Sequence, residues 1–363
     1  MGHRSSLNIV QVISQRRLLG AERLCLMLSD SLQRRGHRVV LLCKNEPVML
    51  REAERRGLDT RTPGISGKLN PFVAQHILRV AREIDADVIH THLSTASLWG
   101  GVAGRIAHIP VLSHVQAMNT KTCFMFANQM VACSEGVRNH IISQNIHPER
   151  IKTIYNGIER DRFVDLKNRA RMREDLGIPE NVPAVACVAH LADKKGQATL
   201  VNAVALLKGK WPEIRCCLVG DGENMALLKK LTMDLGIENN VLFLGYRMDS
   251  VSIMNAMDIF ILPSLGKEGM ALVLLEAALL GLPSVCSNIP GNDEVVIDGT
   301  TGLLFTPGNE SELAQKIDTI LSDVPLRNLM AITARERSEH LFTIDAMTDQ
   351  IESLYREMIE NQS

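Results

Sequence analysis

Two α/β domains, each built on a doubly wound parallel sheet, are what this sequence predicts. The chain has 363 residues, more than one hydrophobic core usually serves, so two domains are the default. Short apolar runs recur along it, and each is followed by a glycine or polar turn and then a helical pattern. A polar, charged stretch at 165–182 divides two such series and reads as a linker with a short helix.

The first series opens with a strand at 7–13. A turn containing Gly20 leads to a helix from Ala21, with Leu24, Met27, Leu28, Ser31 and Leu32 on one face and Gly36 at its end. A strand at 39–43 follows, then a helix ending at 51–57 and another from Asn70-Pro71 to about Ile84. The strand at 87–92 carries His90 and His92. A helix at 95–108 leads to a strand at 110–114 that ends on His114. Residues 122–127 read as helical, 130–133 as a strand, Ser134 as a helix start, and 151–155 as a strand closed by the Asn156-Gly157 turn. The second series has strands at 184–189, 214–219, 241–244, 258–262 and 283–287. The region 325–363 is longer than the second domain needs and is expected to return to the first.

The stretch 263–302 organises the second series. After the strand at 258–262 comes a loop with Glu268 and Gly269, then an Ala/Leu-rich helix at about 270–280, stopped by Gly281 with Pro283 beyond. Amides at a helix N-terminus have no intrahelical partner and favour an anion. Glu268 before the helix and Glu276 inside it would hold hydroxyls on either side of that anion, the order found in a nucleotide sugar. Eight helical steps would set the two ~12 Å apart, beyond the roughly 5–9.5 Å of a glycosidase pair. An ordinary βαβ unit with two solvent-facing acids remains open at this point.

Composition narrows the field. A hydrophobic share of 45% is that of a globular protein. No apolar run reaches the roughly 18 residues of a membrane span, and the first residues lack a signal-peptide pattern. Eight cysteines without a CxxC pair read as reduced thiols of a cytosolic protein. Residues 1–165 hold 22 Lys/Arg against 14 Asp/Glu, and the remainder 18 against 27. The basic half suits an anionic partner such as a phosphorylated lipid, a membrane surface or a charged glycan. Alternatively, Arg16, Arg17, Arg34, Arg35, Arg51, Arg55 and Arg56 are solvated helix faces. Asp85-Ala-Asp87 spells a metal-binding DxD, but it sits at the entry of a strand, not its exit. His114 lies at a strand's carboxyl end, where open α/β sheets bind ligands. Lys194 or Lys195 at such an end would neutralise a phosphate.

Taken in order, the motifs Leu19-Gly20-Ala21-Glu22, His114, Tyr155-Asn156-Gly157-Ile158-Glu159 with Phe163, Ala189-His190-Leu191 with Lys195-Gly196, the 218–222 and 243–245 turns, and Glu268 to Glu276 resemble those of the retaining GT-B glycosyltransferases of family four, over essentially the whole chain. The resemblance implies two Rossmann-like domains facing across a cleft, acceptor-binding over 1–165 and nucleotide-sugar-binding over 166–339, with the helix at 340–363 packing on the first. It implies transfer of a hexose-type sugar from a nucleoside diphosphate, UDP by family frequency, to a glycan or lipid-linked acceptor of lipopolysaccharide core or capsule type, without metal, cofactor or nucleic acid. The site would lie in the cytoplasm or at the inner face of the membrane.

The same resemblance gives His114, Lys195 and Glu268 catalytic roles. Gly20, His190, Lys195, Tyr246, Arg247, Glu268, Gly269, Met270, Ala271, Leu272, Val273 and Glu276 would bind the donor. Glu276 would take the ribose and Glu268 the transferred sugar. Three departures stand out: His190 replaces an arginine beside the diphosphate, Gly20 is single where the family has paired glycines, and the segment from His114 to Ser134 is short. A nucleotide-sugar epimerase of the same fold and a non-catalytic sugar-nucleotide-binding protein are the alternatives.

Overall fold

The computed structural model describes residues 6–14, 18–62, 70–266 and 268–362. The chain divides into two compact units, one formed by residues up to Glu159 with those from Leu341 onward, the other by Arg160–His340. The division thus falls six residues before the expected 165/166 boundary.

The first unit holds seven strands: β1 (Asn8–Ile13), β2 (Arg38–Leu42), β3 (Asp59–Arg61), β4 (Val88–His92), β5 (Val111–Val115), β6 (Gln129–Ala132) and β7 (Ile151–Thr153). They pair in parallel in the order β3-β2-β1-β4-β5-β6-β7. Between them run α1 (Gly20–Arg34), α2 (Pro47–Arg55), α3 (Phe72–Glu83), α4 (Ser94–Ala107) and α5 (Glu135–Ile142). Local chemistry explains the boundaries. The Glu46 carboxylate accepts from the amides of Val48 and Met49 at the start of α2, and Ser134 caps α5 by accepting from Val137 N. Where a helix was expected at 122–127 there is only a 3₁₀ turn, Lys121–Cys123, because Thr120 and Thr122 bond each other and Lys121 N donates to Gln144 instead.

The second unit runs α6 (Arg169–Asp175), β8 (Ala184–Val188), α7 (Gln197–Leu207), β9 (Arg215–Val219), α8 (Met225–Asp234), β10 (Val241–Gly245), α9 (Ser250–Asn255), β11 (Ile259–Leu262), α10 (Leu272–Leu280), β12 (Ser284–Ser287), α11 (Asn292–Val295), β13 (Gly302–Phe305), α12 (Glu310–Ser322) and α13 (Val324–Leu341). Its sheet is parallel in the order β10-β9-β8-β11-β12-β13. The core beneath it joins Val185, Leu218, Ile261 and Val285 of the strands to Leu200, Val204, Leu313 and Ile317 of the helices. Burying each such side chain contributes roughly 1.5–3 kcal/mol.

The last helix, α14 (Ile344–Glu360), belongs to the first unit and packs on α1. Its apolar face is buried, and its acids meet bases from the first unit. Arg35 pairs with Asp349 and Glu352, and His37 hydrogen-bonds Glu352 at 2.7 Å. Arg56 is bound by Glu159, Asp30 and Glu52. Part of the basic excess read from the sequence is therefore neither a docking surface nor a solvated face, but neutralised within the unit. Arg16 and Arg17 lie outside the described residues.

In the second unit the turns after the strands are packed backbone to backbone. Gly196 has φ +65°, and a Cβ added there would stand 2.0 Å from the carbonyl oxygen of Pro263. Leu265 N donates to Lys194 O at 2.9 Å across the same contact. Gly196→Ala is expected to destabilise the unit by ~1–3 kcal/mol through combined backbone strain and collision. Urea unfolding would measure this, and an unchanged midpoint would contradict the packing.

Candidate active site

In each sheet the connections wind in opposite senses on either side of one pair of strands: β1 and β4 in the first unit, β8 and β11 in the second. At such a switch point two adjacent loops part at the carboxyl ends and leave a crevice, the usual ligand position in this architecture. Lys195 lies on the loop after β8 and Glu268 on the loop after β11, so the two flank the second unit's switch point. Their side chains meet, with Lys195 Nζ donating to Glu268 Oε1 at 2.5 Å. Ser264 Oγ donates to the same oxygen at 2.8 Å. Both ion-pair partners are mostly buried, 19% and 16% exposed, so the pair is held in place while one side stays open to a ligand.

The neighbouring turns hold this pair. Leu191 N donates to Asp221 O, Asn224 N donates to Leu191 O, and Asn224 Nδ2 donates to Asp193 Oδ1 at 2.7 Å. Gly291, at φ +91°, lies against the carbonyl of Gly269, leaving no room for a Cβ. The loop from Glu268 to Ala271 is consequently wedged between the β8 and β12 turns. That wedge explains why α10 begins at Leu272 rather than near 270: Ala271 is still extended, at φ −76° and ψ 113°. Of the residues expected to offer amides to a ligand, Gly269, Met270 and Ala271 precede the helix, while Leu272 and Val273 form its first turn. Ala271 provides no side-chain cap, so the first-turn N–H groups face outward without one.

Glu276 is the single polar residue of α10, whose other eight are Leu, Val and Ala. It is 2% exposed, which a carboxylate tolerates only with a partner. Arg162 provides one, donating through Nη1 to Glu276 Oε1. The second oxygen, Oε2, is buried and accepts no hydrogen bond from any described residue. Glu276 was assigned a role from its sequence position, whereas Arg162 was passed over. The available signal was a second base, after Arg160, in the short segment closing at Phe163.

The remaining expected donor residues spread around the crevice. His190, standing where the resemblance expects an arginine, is 42% exposed at its side chain and meets Glu223 at 3.0 Å through Nε2. Its carbonyl accepts from Gln197 Nε2 at 3.0 Å. Tyr246 is exposed beyond β10, and Arg247 is paired with Asp249 at 2.7 Å.

In the first unit, Gly20 is the first residue of α1. His114 is fully buried and sits beside His92 in the β4–β5 register. Spacing of two along β4 puts His90 on the same face. The rings of His90 and His92 stack with centroids 4.5 Å apart, and His114 lies 5.6 Å from His90 and 5.4 Å from His92. His90 Nδ1 bonds Tyr355 Oη at 2.5 Å, and His92 Nε2 bonds Gln11 Oε1 at 2.8 Å. The three ligand atoms lie within 4.8 Å of one another. However, near-parallel rings direct their in-plane lone pairs alongside one another, not toward the single centre of a tetrahedral site. Neither His114 nitrogen bonds a described residue. Asp87 is used structurally, accepting from Asn8 N at 2.7 Å.

Burial pushes His114 down to about 3 and His90 and His92 well below the usual histidine range. A histidine depressed by folding stays neutral in the native state while the unfolded chain takes up a proton below about 6.5. Its contribution to stability is complete above that value and is lost as pH falls from there toward 3. His114→Asn should therefore reduce the fall in stability between pH 6 and 4.5 by about 1.4 kcal/mol per pH unit, as measured by urea unfolding at each pH. Parallel curves for the two proteins would contradict the burial of a neutral ring.

Comparison with known proteins agrees with the two-unit fold. Residues 19–162 match the family described as Glycosyltransferase Family 4, and residues 168–337 that described as Glycosyl transferases group 1. The chain is 28% identical over 298 residues to an Escherichia coli UDP-Gal:alpha-D-GlcNAc-diphosphoundecaprenol alpha-1,3-galactosyltransferase, covering 76% of each chain. It is 33% identical over 177 residues to the Rhizobium meliloti lipopolysaccharide core biosynthesis glycosyltransferase LpsE, covering 49% of this chain and 51% of that one. The crystal structure of Anabaena HepE in complex with UDP superposes with a TM-score of 0.87 at 25% identity, over 97% of this chain and all of that one. With two Rossmann-like units and a family match on each, the chain belongs to the GT-B glycosyltransferases of family four.

Proposed function

We propose that this glycosyltransferase moves a hexose-type sugar from a nucleoside diphosphate donor, UDP-linked, to a glycan or lipid-linked acceptor of the lipopolysaccharide core or capsule class, with retention at the anomeric carbon. The observations that carry the reading are the Lys195–Glu268 pair at the switch point, the first turn of α10 just after Glu268, and the buried Glu276 on that helix with one oxygen unengaged. They match the order of charge and hydroxyls along a nucleotide sugar. The printed activity of the galactosyltransferase relative and the UDP bound to the HepE structure support the donor class.

In this reading Lys195 leaves Glu268 for the diphosphate, and Glu268 turns to the sugar's hydroxyls. The C1–O bond to the β-phosphate breaks while a bond from the acceptor oxygen forms on the same face of C1. The departing phosphate oxygen takes the acceptor's proton. Charge developing on that oxygen is met by Lys195 and the α10 amides, an arrangement that stabilises the transition state more than the ground state. No divalent ion is required. The first unit receives the acceptor. No helix among the described residues is long and apolar enough to cross a membrane, and the eight free cysteines suit a reducing compartment. An anionic or lipid-linked acceptor fits the basic balance of residues 1–165.

A thermal-shift comparison of UDP-, GDP- and ADP-sugars is expected to show stabilisation by one class, UDP first, because a native-state ligand raises stability by mass action. Lys195→Ala and Glu276→Ala should each lower transfer by at least ~100-fold, within the range reported for losing one group that stabilises charge in a transition state. EDTA should leave the wild-type rate unchanged. Wild-type turnover in both variants would refute the site. Donor consumption without acceptor would favour epimerisation, and binding without turnover a non-catalytic role.

A further inference from the structure

We propose that Arg162 is a positioning residue for the donor: it holds one oxygen of Glu276 so that the other is presented to the nucleotide's ribose, and it thereby sets the preference for ribo- over 2′-deoxyribonucleotides. This rests on the proposed role of Glu276. Three observations carry it. First, Glu276 is buried in an otherwise apolar helix, so its side chain is without the solvent that would normally satisfy four lone-pair sites. Second, its two oxygens are unequal: Arg162 Nη1 donates to Oε1, while Oε2 is buried with no described donor. A carboxylate fixed in this way has one oxygen occupied and one directed, the state suited to accepting from a vicinal diol. Third, Arg162 is itself held. It lies in the 3₁₀ stretch Arg160–Phe163, whose first residue donates from Arg160 Nη2 to Glu339 O at 3.2 Å. A few residues on, Lys167 N donates to Ser252 Oγ, and Arg169 donates to Met257 O at 2.7 Å and pairs with Asp258 at 2.8 Å. The segment is thus laid along the second unit on both sides of Arg162, and the guanidinium reaches Glu276 from a fixed backbone. An arginine fits this position better than a lysine, because its planar fork orients a carboxylate where an ammonium only attracts it.

The division of labour predicts where substitutions register. Arg162 touches neither the diphosphate nor the sugar in this account, so its loss should raise the donor KM and leave kcat nearly intact. Lysine should rescue affinity in part, and selectivity less.

The test uses the full chain and calorimetric titration of UDP, GDP and ADP. Whichever binds the wild type most tightly is then compared with its 2′-deoxy analogue. Arg162→Ala is expected to weaken the ribonucleotide by ten-fold or more and the deoxy analogue by much less, collapsing the ratio between them. Arg162→Lys is expected to recover part of the affinity. Because Arg162→Ala leaves a buried carboxylate unpaired and risks misfolding, Glu276→Gln and the double variant Arg162→Ala/Glu276→Gln complete a cycle, with thermal unfolding as the check on each. If Arg162 acts through Glu276, the arginine substitution adds nothing once the glutamate is neutral. Additive losses in the cycle, or an unchanged ribo/deoxyribo ratio in Arg162→Ala and Arg162→Lys, overturn the proposal. If Glu276→Gln binds like the wild type, or if no nucleotide binds the wild type, the donor-site reading fails first and the proposal with it.

Discussion

The parting of the connections on either side of β8 and β11 is the constraint on which the second unit depends. Parallel strands send every return path over a face of the sheet. Only where successive paths take opposite faces do two strand-end loops separate. Lys195 and Glu268 occupy those two loops, and α10 starts from the second. The ion pair between them bridges the parting, and the glycines that allow backbone to lie on backbone keep it narrow. Replacing a glycine at these contacts would shift the loops that carry Lys195 and Glu268.

Burial then differentiates the carboxylates. Glu268 stands at the mouth of the crevice with a lysine and a serine hydroxyl on the same oxygen, a set of contacts that a ligand's phosphate and hydroxyls can replace. Glu276 is buried on an otherwise apolar helix and held by Arg162, so it cannot move far. One acid is exchangeable and the other fixed. That difference suits a donor whose sugar departs during the reaction while its nucleotide stays. In the first unit burial works on bases instead, holding three stacked histidines neutral between Gln11 and Tyr355.

Much of the fold was legible because its signals are local. Strand-like runs bounded by glycine and polar turns, each followed by a helical period, marked most of the parallel strands. Gly281 marked the end of α10 before any partner was known. The edge strands β3 and β13 were missed; β3, Asp-Thr-Arg, has no apolar residue to mark it. The start of α10 was misplaced by two residues because the wedge of Gly291 against Gly269 is a contact between segments over twenty positions apart. The fate of the basic residues was hidden for the same reason. Arg35 is neutralised by Asp349 and Glu352, which lie outside residues 1–165, so counting charge by segment overstated what the surface offers. Lys195, Glu268 and Glu276 stood out by motif, whereas Glu276's partner Arg162 did not. A second base after Arg160 was its one local signal, and that signal does not name the buried glutamate 114 positions later.

In the proposed mechanism the Lys195 loop and the first turn of α10 hold the donor's diphosphate. The most direct measurement is the affinity of the nucleoside diphosphate relative to its monophosphate, by calorimetry, in the wild type and in Lys195→Ala. The account predicts that the wild type favours the diphosphate by ten-fold or more and that the variant loses most of that preference while still binding the monophosphate. An equal preference in both proteins would place the diphosphate elsewhere and contradict the account.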